Sequence, residues 1–289
     1  EVVISEGLKI IPGGKATNAA IGMARLGQSV YFIGKIGNDS FGQEIHSIFQ
    51  QENLHTEFVD TDAFIPTGTV MVNVDAQGKN TIIVNEDANI RINRQSLVDM
   101  FGKIDSRELS IQCLYLTLEP LPDIVEFAIR EASKRDIMVF CDAAPQARPL
   151  DRSLYPYIHF LTANEFEVSS MTKTHVVDVE SAKSAALFLR KQGARHIIVT
   201  LGALGAVSLP EGSVDAVYTP GRKVRVVDET AAGDAFRAAY VSEYLLHKDS
   251  VKAVAFANLV GAYAVTKLGS YSALPKREEL AFLETFDKD

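Results

Sequence analysis

Cys113-Leu114-Tyr115-Leu116-Thr117-Leu118, Ile137-Met138-Val139-Phe140-Cys141, Ile158-His159-Phe160-Leu161-Thr162 and His196-Ile197-Ile198-Val199-Thr200-Leu201 are apolar runs of strand length. Between them, Asp123 to Lys134 and Ser181 to Gln192 are amphipathic segments of helix length. Nearly continuous apolar strands need cover on both faces, and strands alternating with helices imply crossover connections. Residues 112–201 therefore predict βαβ units in a mostly parallel sheet, an α/β fold.

Upstream the pattern changes. Thr69 to Asn73 and Asn80 to Asn85 alternate in period two around Asp75-Ala76-Gln77-Gly78, which predicts a hairpin. Together with Val2 to Ile11 it would make a small β lid outside the main sheet. The expected division is an α/β core over 12–65 and 89–289 and a lid over 1–11 and 66–88, within one chain domain. No linker, repeat or low-complexity tract splits the chain.

In an open parallel sheet, ligands bind beyond the carboxyl ends of the strands. The residues after the apolar runs are Glu119, then Asp142, then Asn164 with Glu167, then Thr200 and Gly202. Each alone reads equally as a cap or turn residue; their shared edge favours a site.

Two further stretches carry chemistry. Gly13-Gly14-Lys15-Ala16-Thr17-Asn18 opens a segment rich in small residues that stops at Gly27. Its glycines allow close approach of a ligand, and Lys15 and Asn18 face the first turns of a helix. A tightly packed Gly/Ala helix without a ligand is the competing reading. Asp228-Glu229-Thr230-Ala231-Ala232-Gly233-Asp234 precedes an apolar helix. Small residues Ala231, Ala232 and Gly233 leave the amides of that helix start open to an anion, beside Asp234. Asp234 then reads either as a base that accepts a hydroxyl proton or as an N-cap.

Composition narrows the classes. The chain has 289 residues, 47% of them hydrophobic, and a formal net charge of −8, which opposes binding to nucleic acid. No apolar run reaches the ~18–20 residues of a membrane span. Two cysteines, Cys113 and Cys141, lie in apolar runs, and a cytoplasmic location is expected. The histidines lack metal-binding spacing, and Gly202-Ala203-Leu204-Gly205 falls short of a dinucleotide fingerprint. Neither a Walker lysine loop nor the protein-kinase motifs occur, and Gly37-Asn38-Asp39 reads as a turn and helix cap.

In order, Gly-Gly-Lys-x-x-Asn, Leu118-Glu119-Pro120, Asn-x-x-Glu, Thr-Leu-Gly-x-x-Gly and Asp-x-x-Ala-Ala-Gly-Asp resemble the ribokinase-like, phosphofructokinase B-type carbohydrate kinases over essentially the whole chain. Within that family the motifs are more similar to ribokinases than to fructokinases or adenosine kinases. The resemblance implies a three-layer α/β/α fold with a small β lid, and phosphorylation of a small sugar, ribose first, by ATP with Mg²⁺. By position it implies that Gly14, Lys15, Asn18 and Glu119 contact the sugar and that Asp234 takes its proton. Ala231, Ala232, Gly233 and the Asp234 amide would form the anion hole. Asn164, Glu167, Thr200, Gly202, Gly205 and Asn258 would serve the nucleotide and its Mg²⁺. A monovalent cation, K⁺, would sit by Asp228, Thr230, Ala264, Lys267, Gly269 and Ala273. A homodimer through the lid is expected.

Three departures accompany the resemblance. Glu229 stands where the family usually has Thr, and Arg237 where a small polar residue is common; the two would pair with each other. The family's first strand, with a glycine and a sugar-binding aspartate, should precede Glu1 and has no counterpart, which with the missing Met suggests a trimmed polypeptide. Another sugar, a nucleoside, or a silent sugar- or nucleotide-binding regulatory role are the alternatives.

Overall fold

Val139, Cys141, Leu161, Ala163, Ile197 and Val199 pack into one apolar core, while the residues between them, Phe140, Phe160 and Ile198, pack into another. A strand whose alternate side chains enter two different cores must lie between two helical layers. Ile197, Ile198 and Val199 are fully buried, each worth about 1.5–3 kcal/mol of transfer free energy.

The computed structural model describes residues 7–74, 80–145 and 150–280. In chain order the elements are α1 (Lys15–Arg25), β1 (Tyr31–Gly37), α2 (Ser40–Gln51), β2 (His55–Asp62), β3 (Thr69–Val74), β4 (Asn80–Asn85), α3 (Arg94–Asp105), β5 (Cys113–Thr117), α4 (Pro122–Ser133) and β6 (Met138–Asp142). There follow β7 (Phe160–Asn164), α5 (Glu165–Thr172), α6 (Val179–Lys191), β8 (His196–Thr200), β9 (Gly205–Leu209), β10 (Val217–Pro220), α7 (Ala232–His247), α8 (Ser250–Ala264) and α9 (Arg277–Leu280).

Strands β5, β6, β7 and β8 are parallel neighbours in that order, and β9 and β10 extend the sheet antiparallel. Helices α3 to α6 cover one face and α1, α2, α7 and α8 the other. This is the expected three-layer α/β/α arrangement. The parallel pair β1–β2 was not read from sequence. Its Tyr31, Ile33 and Phe58 join the first core and Phe32 and Val59 the second, so it lies in the same layer.

The strand expected at 158–162 is Phe160–Asn164 instead, because Ile158 still closes a short 3₁₀ turn through its N–H to Tyr155 O. The hairpin is present: β3 and β4 pair antiparallel from Thr69↔Asn85 to Val74↔Asn80. Residues 7–11, expected to join it, have no regular structure, and 1–6 and the turn at 75–78 lie outside the described residues. Asp39 does cap α2 by accepting from Gly42 N, and it also accepts from Thr67 N and Oγ1 ahead of β3.

Helix α1 stops as expected, with Gly27 at φ +94°. Its small residues let α7 come close: a Cβ on Gly22 would stand 2.7 Å from that of Ala238. That contact brings the first turns of α1 and α7 together at one edge of the sheet.

Candidate active site

The parallel strands end at a common edge, where Thr117 aligns with Asp142, Asp142 with Thr162, and Asn164 with Thr200. Asp142 is fully buried there. Above this edge sit the starts of α1 and α7.

Before α1 the chain is pinned by Ser270 Oγ, which donates to Pro12 O at 2.5 Å. A Cβ on Gly13 would meet Ser270 Oγ at 3.3 Å, and Gly14 precedes the helix at φ +117°, a conformation open to glycine. Asn18, one turn in, is buried, and its Nδ2 donates to Asp234 Oδ2 at 2.8 Å. Asn18 Oδ1 is buried without a hydrogen-bond partner. A buried acceptor is costly unless something donates to it, so this atom suits a ligand hydroxyl.

Helix α7 settles the two readings of Asp234 in one respect. Its N-cap is Ala231, at φ +60°, and no side chain caps it, so Asp234 lies inside the first turn and is not the cap. The amides of that turn have no intrahelical acceptor by geometry; Ala232 N makes a long 3.3 Å bond to Glu229 O, and helix-start amides of this kind suit an anion. Burial pushes the Asp234 carboxyl above the usual carboxylate range, while Arg237, Lys15 and the Asn18 donor pull it back. A buried carboxylate whose proton affinity is raised in this way is suited to accept a proton from a hydroxyl.

Asn164 and Glu167 form a capping box at the start of α5. Asn164 Oδ1 accepts from the N–H groups of Phe166 and Glu167 at 2.9 and 2.8 Å, and Glu167 Oε2 accepts from Asn164 N at 2.8 Å. Thr200 ends β8, and the turn after it carries Gly202 and Gly205 at φ +52° and +102°. A Cβ on Gly205 would strike Thr219 O at 2.3 Å, so β10 crosses here only over glycine. Asn258 Nδ2 donates to Thr219 O and Pro220 O, fixing the same strand. Glu119 accepts from Thr117 Oγ1 at 3.1 Å beyond β5.

Asp228 ties two loops together: its Oδ1 accepts from Thr230 N at 2.9 Å and its Oδ2 from Gly269 N at 3.0 Å. Val265 O receives Val227 N at 2.7 Å, so segments 227–230 and 264–269 run side by side. Lys267 N reaches back to Ala264 O, and Ala273 N to Ser270 O. Carbonyl and carboxylate oxygens are the ligand type that hard cations take.

A model of the pfkB family carbohydrate kinases matches residues 1–277. The chain belongs to that family. Ribokinase of Haemophilus influenzae is 33% identical over 285 residues, spanning 98% of this chain and 91% of the relative. Among solved structures, ribokinase from Thermotoga maritima has a TM-score of 0.84 at 29% identity, covering 98% of this chain and 91% of its own. Ribokinase of Arabidopsis thaliana, solved with ribose and ATP, shares the fold at a TM-score of 0.88 and 24% identity, covering 98% and 90%. This pfkB-family protein is a carbohydrate kinase, a phosphotransferase with an alcohol acceptor.

Sequence reasoning missed how the polar edge of this kinase is wired. Arg237 does not turn outward to the exposed Glu229; its Nε meets Asp142 Oδ1 at 2.9 Å and its Nη2 meets Glu167 Oε2 at 3.5 Å, all three residues being buried. Burial pushes Asp142 up to about 7 against the pull of Arg237, with the Tyr115 hydroxyl donating to its other oxygen at 3.3 Å. An arginine amid Ala235, Phe236, Ala238 and Ala239 was the available signal, since a cation inside an apolar helix needs a buried partner.

Proposed function

We propose that this kinase transfers the γ-phosphoryl group of ATP to the primary hydroxyl of ribose, giving ribose 5-phosphate and ADP. The observation that carries the reading is the Asn18–Asp234 pair, which offers a buried base and, on Asn18 Oδ1, a buried acceptor without a donor. Gly14, Lys15 and Glu119 would hold the remaining hydroxyls. Likeness to a relative named ribokinase supports ribose as the sugar.

The sugar O–H gives its proton to the Asp234 carboxylate as its oxygen bonds to the γ-phosphorus. The bond from that phosphorus to the β-phosphate oxygen breaks, and ADP leaves. Amides of Ala232, Gly233 and Asp234 receive the charge on the transferred oxygens, in a transition state that depends mostly on positioning and electrostatics. Ala231 in its left-handed conformation turns the chain into them. Asn164 and the Thr200–Gly205 turn would hold the nucleotide, with Asn258 keeping β10 beside it.

Glu167 would help place Mg²⁺, carried largely by the substrate phosphates, through water, and the ion would supply positive charge to the phosphate oxygens. K⁺ fits between the loops joined by Asp228, among the carbonyls of Thr230, Ala264, Lys267 and Gly269 and near Ala273. The lid supports a homodimer: Val70, Met71, Val72, Ile82, Ile83 and Val84 are all more than half exposed. Free Cys113 and Cys141 fit a cytoplasmic enzyme.

A panel of pentoses, hexoses and nucleosides with Mg·ATP, followed by ADP release, tests the substrate. Ribose should give the highest kcat/KM; a tenfold preference for fructose or adenosine, about 1.4 kcal/mol, would overturn it. Sedimentation at micromolar concentration should show a dimer.

A further inference from the structure

Arg237 reaches back along α7 toward the helix start. Nε and Nη2, on one side of the guanidinium, face Asp142 and Glu167. Nη1 faces the other way, against the backbone of the anion-binding turn: a Cβ built on Gly233 would stand 2.5 Å from it. Thr162 Oγ1 accepts from Nε at 3.4 Å and fixes the plane from the adjacent strand. The carboxylates therefore lie on the far side, and the positive edge of this buried pair points at the turn.

We infer that Arg237 is a positioning residue for phosphoryl transfer, holding the Gly233 turn and Glu167 in register and placing positive potential behind the amides that receive the phosphoryl charge. This rests on the reading of that turn as the transfer site. An oriented ion pair in a water-poor setting acts as a fixed dipole, which needs no reorganisation as charge develops in front of it. With Arg237 in this position, a side chain at residue 233 would press on the guanidinium. This arrangement also gives Asp142, which no substrate need touch, a part as the anchor of the pair.

The test separates this part from that of an ion pair serving stability alone. R237Q leaves Asp142 buried without its partner and is expected to melt early, so the deciding variant is D142N/R237N, which removes the arginine and its nearer carboxylate together, while Glu167 keeps the N–H of Asn164. This variant should fold, by circular dichroism and a cooperative melt, yet show kcat lowered at least about tenfold with the sugar KM changed less than about threefold. A second measurement needs no turnover and no metal. In excess EDTA, calorimetric titration should show the preference for a non-hydrolysable ATP analogue over ADP falling at least about threefold in D142N/R237N. A folded double variant with kcat within about twofold of wild type and an unchanged analogue-to-ADP ratio would overturn the inference. Since the ratio is read without a sugar, its failure is distinct from a failure of the ribose assignment.

Discussion

Asn18 Nδ2 donates to Asp234 Oδ2 at 2.8 Å, a buried bond between residues 216 apart in sequence that joins the first turn of α1 to that of α7. In the proposed reaction one member would grip the sugar and the other take its proton, so a change at either residue should be felt at the other.

Asp234→Asn should lower kcat by about a hundredfold to ten-thousandfold, the range for loss of a general base, with sugar and ATP affinities little changed. Because Ala231 and not Asp234 occupies the N-cap, no capping energy is at stake. Steady-state kinetics alongside a thermal melt checks both halves; near-normal turnover refutes the base assignment.

Asn18→Ala removes a donor that helps keep Asp234 ionised. The carboxyl pKa should then climb further, and since the base works in its ionised form, the acid limb of the kcat/KM profile should move to higher pH. Activity is expected to fall more at about pH 6 than at about pH 8. Parallel displacement of the whole profile, without a shifted limb, would contradict this.

Potassium should raise the rate relative to a bulky organic cation, and Asp228→Ala should abolish the difference. The variant loses the acceptor of the Thr230 and Gly269 amides, so the two carbonyl-bearing loops keep only their backbone bonds to Val265 O and lose the tie at Gly269. Initial rates of both proteins in the two salts at equal ionic strength decide the point.

His196, buried against Phe160 and Tyr240, has its pKa depressed by burial to about 4. Its contribution to stability is present in full above the unfolded value of about 6.5 and is lost as pH falls through about 4, a swing of about 2–4 kcal/mol. Asp142, raised to about 7, works in the opposite sense: its contribution is present below about 3.9 and lost as pH rises through about 7. Urea denaturation of wild type and His196→Gln between about pH 7 and pH 4.5 isolates the histidine, and the variant should show the flatter dependence.

The parallel sheet could be read because burial on both faces leaves a mark in consecutive residues, as in Ile197-Ile198-Val199. The start of α7 was legible too, since small residues and an aspartate are adjacent in the chain. β1 and β2 were not: Gly34 and Lys35 interrupt the first, and the second alternates charged residues with Phe58 and Val59. The Arg237–Asp142 pair was illegible for another reason. Its members come from different elements, and only folding tells which carboxylate a buried cation meets. Asn164-x-x-Glu167 admitted a cap or a nucleotide contact, and the geometry shows the capping box, with Glu167 Oε2 also 3.5 Å from Arg237 Nη2.

The contact of α1 with α7 also governs when a newly made molecule becomes competent. Ribosomes add about 5–20 residues per second, so about 10–45 s separate the synthesis of Asn18 from that of Asp234. Until then the face of α1 around Gly22 has no Ala238 to lie on, and Arg25 lacks the carbonyls of Tyr271 and Leu274 that it holds in the finished protein. A product of premature termination before Asp234 therefore has neither that carboxylate nor the cover of α1. It displays the uncovered face of α1, which chaperones and proteases can recognise.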